Sequence, residues 1–401
     1  MHIARTPYES FRPGFWQTIL YRFLVKLFHF LGIWRRGRSA SGDLATMSFI
    51  DKVYWLYKTI HPVVYRFENH VSFADISAPD HRLILPPAFK GYESVSLSAA
   101  GDLIFHEFVR HSKDLLYEEV ADFLFGTDLP MANLECVIAD VPEQQMKFSP
   151  KAGPTLTYSP ETFDIVRQHA GRGFRFLATA CNHSLDLGES GIHSTVEALH
   201  GVGIAFNGIQ SNGIKAPEPT LVDIGENRIA ILAVTFGINA RRPPADGPHM
   251  VHVADLNALP SKENLEVFST LLSAKADFRI VHLHWGMEHE HFPREEQIRL
   301  AHHLADEGID LIIGHHPHVI QPAEFYKTKR DGGRVVPIFY SLGNLINNYA
   351  ADYLCESLVA RINLISGSLS GIKKIFVTSV GLKKVRQIFD EKKSQLRVVP
   401  I

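Results

Sequence analysis

The sequence predicts an α/β fold behind an N-terminal helical extension. Three observations carry this. From Glu93 onward, short apolar runs alternate with helix-like stretches, the pattern of strands joined by helices. Polar residues with metal-ligand character recur directly after those runs, where open α/β sheets place their ligands. The first seventy residues lack the alternation and are largely aromatic and aliphatic.

Residues Phe15 to Trp34, FWQTILYRFLVKLFHFLGIW, have the length of a membrane span, but Arg22 and Lys26 sit in the middle. Each would cost about 2.5–3.5 kcal/mol in a bilayer centre. Thr18, Arg22, Lys26 and His29 recur at intervals of four, four and three, which on a helix makes one narrow polar stripe. Arg35, Arg36 and Arg38 follow directly. A broad apolar face with a cationic stripe suits a helix lying in a membrane interface. It equally suits a helix docked on a membrane-protein partner or on the main domain. No small-residue cleavage site follows, so a cleaved signal peptide is not expected and the location is cytoplasmic or peripheral to a membrane. Phe49 to Phe67 predicts a second helix, broken at Pro62. The proline-punctuated stretch that follows reads as a linker. The expected division is an extension over 1–70, a linker over 71–92, an α/β domain over 93–385 and a tail over 386–401.

Within the domain the expected strands are SVSLSAAGD, LPMANLECVI, FRFLATACNH, GIAFNG, NRIAILAVTF, FRIVHLHWG, DLIIGHHPHV and VVPIFYSLGN. Helices are expected over His111–Phe125, Pro160–His169, Leu187–Gly203, Ser261–Lys275 and Glu295–Glu307. Two β-like runs close the chain, CESLVARINLI and IKKIFVTSVGL.

Composition narrows the class. A chain of 401 residues with 45% hydrophobic residues can bury a core. With 41 Lys plus Arg against 43 Asp plus Glu, it lacks the basic excess of a nucleic-acid binder. Cys136, Cys181 and Cys355 form neither a disulfide framework nor a CxxC metal motif. The 22 histidines are the unusual feature, and the question is whether they cluster.

They do, and with other ligand types. Asp102 ends the first strand of the domain. Asn133 and Glu135 end the second, and Asn182, His183 and Asp186 the third. His282, His284 and Glu288 end a later one, His315, His316 and His318 the next, and Ser341 and Asn344 close the series. Any one group is weak, because a strand-end Asp is as often a turn residue or helix cap. Together they place carboxylate, amide and imidazole groups along one sheet edge. That mixture favours Mn²⁺, Fe²⁺ or Zn²⁺, one or two ions, over Ca²⁺ or Mg²⁺. His282 alternates with His284 and should share its face. His315 should point opposite to His316 and reads as structural. Trp285 and Tyr340 are either pocket lining or core.

The ordered motifs Gly101-Asp102, Asn133-Leu134-Glu135, Asn182-His183-x-x-Asp186-x-Gly188, His284-Trp285-Gly286-x-Glu288, His316-Pro317-His318 with Gln321, and Tyr340-Ser341-Leu342-Gly343-Asn344 carry a resemblance. Over roughly residues 94 to 385 the chain resembles the CapA family of poly-γ-glutamate capsule biosynthesis, within the calcineurin-like metallophosphoesterases. The resemblance implies a four-layer α/β/β/α sandwich. It implies metal ligation by Asp102 and His318 at one position, Asn182, His284 and His316 at a second, and Glu135 between them. His183 would face substrate as the catalytic acid with Asp186. Asn133, Glu288, His282, Trp285, Ser341 and Asn344 would support ligands or substrate. The wider superfamily carries Asp-x-His on its first strand, whereas Ile104 stands at that position here, with His106 close by. The resemblance also implies a metal-dependent phosphoesterase-type hydrolase acting on an anionic polymer or a phosphate ester in capsule or envelope biosynthesis. A non-catalytic scaffold of a membrane assembly and a general metallophosphatase are the alternatives.

Overall fold

The computed structural model describes residues 3–10, 14–31, 47–59, 61–64, 66, 71–141 and 154–401. Arg35, Arg36 and Arg38 of the basic flank lie outside the described residues.

Two large sheets are stacked. Among the described residues the first has nine strands. Its main path runs β1 (Asp80–Arg82), β18 (Ile372–Asp390), β17 (Glu356–Leu369), β2 (Lys90–Leu103), β3 (Leu129–Leu134), β8 (Phe176–Ala178) and β9 (Ala205–Asn207). In addition β16 (Asn344–Ile346) pairs with β2, and β19 (Gln395–Pro400) with β18. The second sheet orders β10 (Thr220–Ile224), β11 (Asn227–Thr235), β12 (Phe278–His284), β13 (Leu311–His315), β15 (Val335–Phe339) and β14 (Ala323–Lys327). Among the described residues there are also two short ribbons, β4 (Val137–Ile138) with β5 (Thr157–Tyr158) and β6 (Gln168–His169) with β7 (Arg172–Gly173).

Strand alternation sorts the apolar residues into three layers. Leu97, Ala99, Leu129, Met131 and Phe176 of the first sheet meet Ile229, Ile231, Ile280, Ile313 and Phe339 of the second. The outer face of the first sheet is covered by Leu124 and Phe125 from Ala121–Phe125, Phe163 from Pro160–Val166 and Leu199 from Gly188–Gly201. The outer face of the second is covered by Leu271 from Ser269–Ser273 and by Ile298, Ala301 and Leu304 from Glu295–Glu307. The result is the expected α/β/β/α sandwich.

Two local features aim the strand ends. In β2, Ala99 pairs with Met131 but Asp102 pairs with Asn133, so β2 carries one extra residue there. Such a bulge re-aims the side chains after it, and it turns Asp102 rather than Gly101 toward the gap between the sheets. A Cβ at Gly101 would lie 2.0 Å from the Gly343 carbonyl oxygen, so only glycine fits. The second feature is a crossover. The run VVPIFYSLGN, expected as one strand, leaves the second sheet at Phe339 and enters the first at Asn344, pairing Asn344 with Asp102. Gly343 makes this turn at φ 73, a conformation that costs glycine little.

Several boundaries differ from expectation. LPMANLECVI divides into β3 and β4, with Glu135 just past the end of β3 and its amide donating to the Leu103 carbonyl. The stretch 111–125 is mostly turns and is helical only over Ala121–Phe125. Ser261–Lys275 is broken into shorter helices. Strand β10 and strand β14, at the two edges of the second sheet, lie outside the expected set. The supposed linker supplies β1 and the start of β2, and the supposed tail supplies β19, because both complete hydrogen-bonding edges of the long β17–β18 hairpin.

The extension comprises α1 (Pro7–Ser10), α2 (Phe15–Phe30) and α3 (Phe49–Lys58). It is anchored at two points. Ile3 is buried, and the Ala4 and Arg5 carbonyls accept from the amides of Ala350 and Ala351. Helix α3, opened by a Ser48–Asp51 capping box, packs on the segment after β12. There Lys58 Nζ lies 3.4 Å from Glu290 Oε1, which also receives Arg294 Nη2 at 2.7 Å. Phe15, Trp16, Leu20, Phe23 and Phe30 of α2 remain exposed. Arg22 and Lys26 are exposed as well. Among the described residues no helix is long and apolar enough to cross a membrane.

Candidate metal centre

The strand ends converge. Asp102, Glu135, His284, His316 and His318 are all buried or nearly so around one point between the sheets. Ligand atoms of Asp102, Glu135 and His284 lie within 4.8 Å of one another, as do those of Glu135, His316 and His318. Glu135 belongs to both groups. By distance alone His318 thus joins His316, while its Nδ1 is also 3.4 Å from Asp102 Oδ2.

The donors fit a divalent cation. Neither carboxylate oxygen of Glu135 and neither ring nitrogen of His316 has a hydrogen-bond partner, although all four atoms are buried. Orphaned buried polar atoms are costly, and a cation would satisfy them. His284 Nε2 and His318 Nε2 each stand 3.6 Å from Glu135 Oε1, too long for a hydrogen bond. Asn182 Oδ1 lies 2.9 Å from His284 Nε2. Burial pushes the Glu135 carboxyl well up and the His284 and His316 imidazoles well down. Burial also opposes charge on His318, yet the Glu135 and Asp102 carboxylates beside it raise it to about 10. The Asp102 carboxyl, despite its burial, is held well below the usual range by His315 and His318. Backbone strain marks the same place, with His316 at φ 93 and His318 at φ 57. This turn ends β13 at His315 and swings both imidazoles toward Glu135.

Around the donors the other expected residues fall into separate positions. Asn133 Nδ2 donates to Asp102 Oδ1 (2.9 Å) and lies 3.4 Å from His284 Nδ1. Asn344 Oδ1 is 3.0 Å from His318 Nδ1, and its amide nitrogen donates to the His318 carbonyl. Ser341 Oγ donates to the Val319 carbonyl and accepts from the Gly343 amide, bracing the crossover. Glu288 accepts from the Trp55 indole of α3. His282 and His315 stand in line behind Asp102, with His315 Nδ1 3.0 Å from Asp102 Oδ1 and His282 Nδ1 3.1 Å from His315 Nε2. His315, expected to point away from the site, instead faces the candidate ligand Asp102.

Trp285 is a correction. It is fully buried on the outer face, its indole donating to the Tyr340 carbonyl and its ring stacked on that of Tyr340. Alternation along β12 sends it away from His284, so both aromatics are core. His106 is neither surface nor site. It is buried, accepts from the Phe108 amide at Nδ1, and packs against Phe108 and Phe389, where burial lowers its pKa to about 3.

One edge of the centre carries acid–base groups. The turn after β8 is held by Ser184 Oγ, which donates to the Thr179 carbonyl and accepts from the Cys181 amide. It presents His183, whose Nδ1 lies 2.8 Å from Asp186 Oδ2, the oxygen that also accepts the Leu156 amide. Asn239 is a residue the sequence reading missed. It accepts from Asn182 Nδ2 (3.2 Å), and its own amide nitrogen is 3.4 Å from His183 Nε2. Carrying the strand-end rule to NRIAILAVTF would have drawn attention to the segment that holds it.

The fold and site together define a two-sheet α/β protein whose strand-end loops build a carboxylate–imidazole centre suited to divalent metal. The chain belongs to the bacterial capsule synthesis protein PGA_cap family, whose model matches residues 96–349. It is 25% identical over 273 residues to the capsule biosynthesis protein CapA of Bacillus anthracis, covering 66% of this chain and 62% of that one. It is 27% identical over 284 residues to the PGA biosynthesis protein CapA of Bacillus subtilis, covering 65% and 66% respectively. The chain thus spans less than two thirds of either relative. Among solved structures it is similar to a calcineurin-like phosphoesterase from Bacillus subtilis, with 16% identity, 72% and 91% coverage and a TM-score of 0.32. It is also similar to a hypothetical protein from Thermus thermophilus, with 16% identity, 76% and 98% coverage and a TM-score of 0.37.

Proposed function

We propose that this chain is a metal-dependent hydrolase of the phosphoesterase type serving capsule or cell-envelope polymer biosynthesis, with an anionic polymer of the poly-γ-glutamate kind or a phosphate ester as substrate. The observation that carries the reading is the set of buried, unpartnered donors on Glu135 and His316 amid Asp102, His284 and His318. Membership in a capsule synthesis family supports the polymer context.

Asp102, Glu135, Asn182, His284, His316 and His318 would hold Mn²⁺, Fe²⁺ or Zn²⁺. Such an ion lowers the pKa of a bound water and polarises the scissile group. The chain's own residues supply the rest. Asp186 orients the His183 ring through Nδ1, leaving Nε2 to pass a proton to the leaving oxygen. Asn133 and His315 hold the Asp102 carboxylate in place. The test is elemental analysis of the purified protein with an aryl-phosphate assay in Mn²⁺. One to two ions per chain, with turnover lost in Asp102→Asn and His183→Ala, are expected. Substoichiometric metal with no turnover would favour the scaffold reading.

The exposed face of α2 belongs to the same proposal. Phe15, Trp16, Leu20 and Phe23 would enter an anionic lipid interface while Arg22 and Lys26 meet headgroups. Vesicle flotation with and without residues 1–45 tests this, and unchanged flotation would remove the idea.

A further inference from the structure

We infer that Arg241, seated beside Asn239 at the edge of the centre, forms an oxyanion-binding position that selects substrates carrying a phosphate or carboxylate group next to His183. The inference rests on the hydrolase reading and deepens it by assigning a residue to substrate recognition.

The loop after β11 carries the argument. Beyond Thr235 the chain lies along the centre, with the Phe236 ring parallel to His284 at 6.3 Å and 4.5 Å from His316. Asn239 and Ala240 then take φ 49 and 59, two successive left-handed residues without a glycine. Such strain persists only where the surroundings fix it, and it gathers at functional sites. Here it buries Asn239 between Asn182 and His183 and delivers Arg241 to Asp186.

The guanidinium is only partly used. Arg241 Nε lies 3.3 Å from Asp186 Oδ1, while Asp186 Oδ2 serves His183 and Leu156. No other side-chain partner of Arg241 is found among the described residues, and its side chain is 27% exposed against 0% for Asp186. The carboxylate therefore pairs with the guanidinium by charge, at a distance that leaves both Arg241 Nε and Asp186 Oδ1 without a hydrogen bond, and the terminal amino groups have no side-chain partner among the described residues. A guanidinium fork with hydrogen-bonding capacity to spare matches the paired oxygens of phosphate and carboxylate alike. Carboxylate is the anionic group of one substrate class proposed above and phosphate that of the other. Asp186 thereby faces both groups, orienting His183 through Oδ2 and pairing with the Arg241 charge through Oδ1, so acid and anion receptor sit side by side.

The test measures binding rather than turnover alone. Mn²⁺-loaded wild type, Arg241→Met and Arg241→Lys would be titrated with inorganic phosphate and, separately, with a tri-γ-glutamate peptide, with bound metal quantified throughout. Arg241→Met is expected to weaken at least one anion about tenfold with metal content unchanged. Arg241→Lys should recover part of the loss. The anion that depends on Arg241 identifies the source, phosphoryl or carboxyl. Equal binding of both anions by wild type and Arg241→Met would overturn the inference, as would a loss of metal that accounts for the weaker binding. Anion binding that depends on Arg241 without aryl-phosphate turnover would leave the inference standing and remove the hydrolase. Turnover with kcat and KM unchanged in Arg241→Met would do the reverse.

Discussion

His315 stands directly behind Asp102, with 3.0 Å between Nδ1 and Oδ1, and His282 stands behind His315 at 3.1 Å. The line runs through the gap between the sheets, from a strand of one sheet to two strands of the other. A carboxylate in contact with an imidazole is fixed in orientation, and outer residues of this kind typically tune metal affinity about 10–100-fold. His315→Ala is therefore expected to weaken Mn²⁺ binding by about that factor, with His282→Ala smaller. Competitive metal titration against a chromogenic chelator reads the effect. Affinity equal to wild type in His315→Ala would show that Asp102 needs no brace.

Metal should stabilise the fold, because the donors converge only in the folded chain. At a free ion concentration about a hundred times the dissociation constant the gain is about 2.7 kcal/mol. Thermal melts should thus shift upward by several degrees with Mn²⁺ and fall back with a chelator. A double variant, Glu135→Gln with His316→Ala, should melt at one temperature in both conditions.

The charge cluster beneath α3 makes the extension part of the domain. Glu290 is buried against Lys58 and Arg294, and Glu290→Ala leaves two buried cations without their carboxylate. Loss of one partner in such a cluster costs about 3–5 kcal/mol. Limited proteolysis should then cut the segment before residue 60 faster than in wild type. Unchanged cleavage would mean that α3 is held by its apolar contacts alone.

The same cluster has a pH sign. Burial favours the neutral Glu290 carboxyl, but Lys58 and Arg294 outweigh it and leave its pKa below the usual glutamate value. A carboxyl depressed by folding contributes stability above its unfolded pKa and loses it as pH falls through the folded one. Docking of α3 should accordingly weaken below about pH 4.5, the ordinary glutamate range. Accelerated proteolysis in acid by an acid-active protease, absent in Glu290→Gln, is the expected reading.

Gly101 makes a further prediction. Its missing Cβ admits the Gly343 carbonyl, which accepts from the Asp102 amide at 2.9 Å. Gly101→Ala should push the crossover off β2, costing about 1–3 kcal/mol and misplacing Asp102 and Asn344 together. Chemical denaturation and metal titration of one sample read both effects.

The sequence by itself determined which residue types would meet. Apolar alternation set the strands, and each strand end carried its carboxylate, amide or imidazole, so a donor cluster including Asp102, Glu135, Asn182, His284, His316 and His318 was legible in the chain, while singling out those six as ligands rested on the family resemblance. Periodicity works over a single segment, and it failed where the outcome depended on a partner strand. Only the tertiary structure decided that a bulge in β2 turns Asp102 inward, that the chain changes sheets between Phe339 and Asn344, and that His315 faces Asp102. It alone placed Trp285 in the outer core, stitched residues 80–82 and 395–400 onto the β17–β18 hairpin, and brought Asn239 and Arg241 to the His183–Asp186 pair. The reason is physical. A residue's neighbours along the chain fix the face it presents, but register, crossovers and loop strain fix what that face meets, and these arise only when two sheets pack.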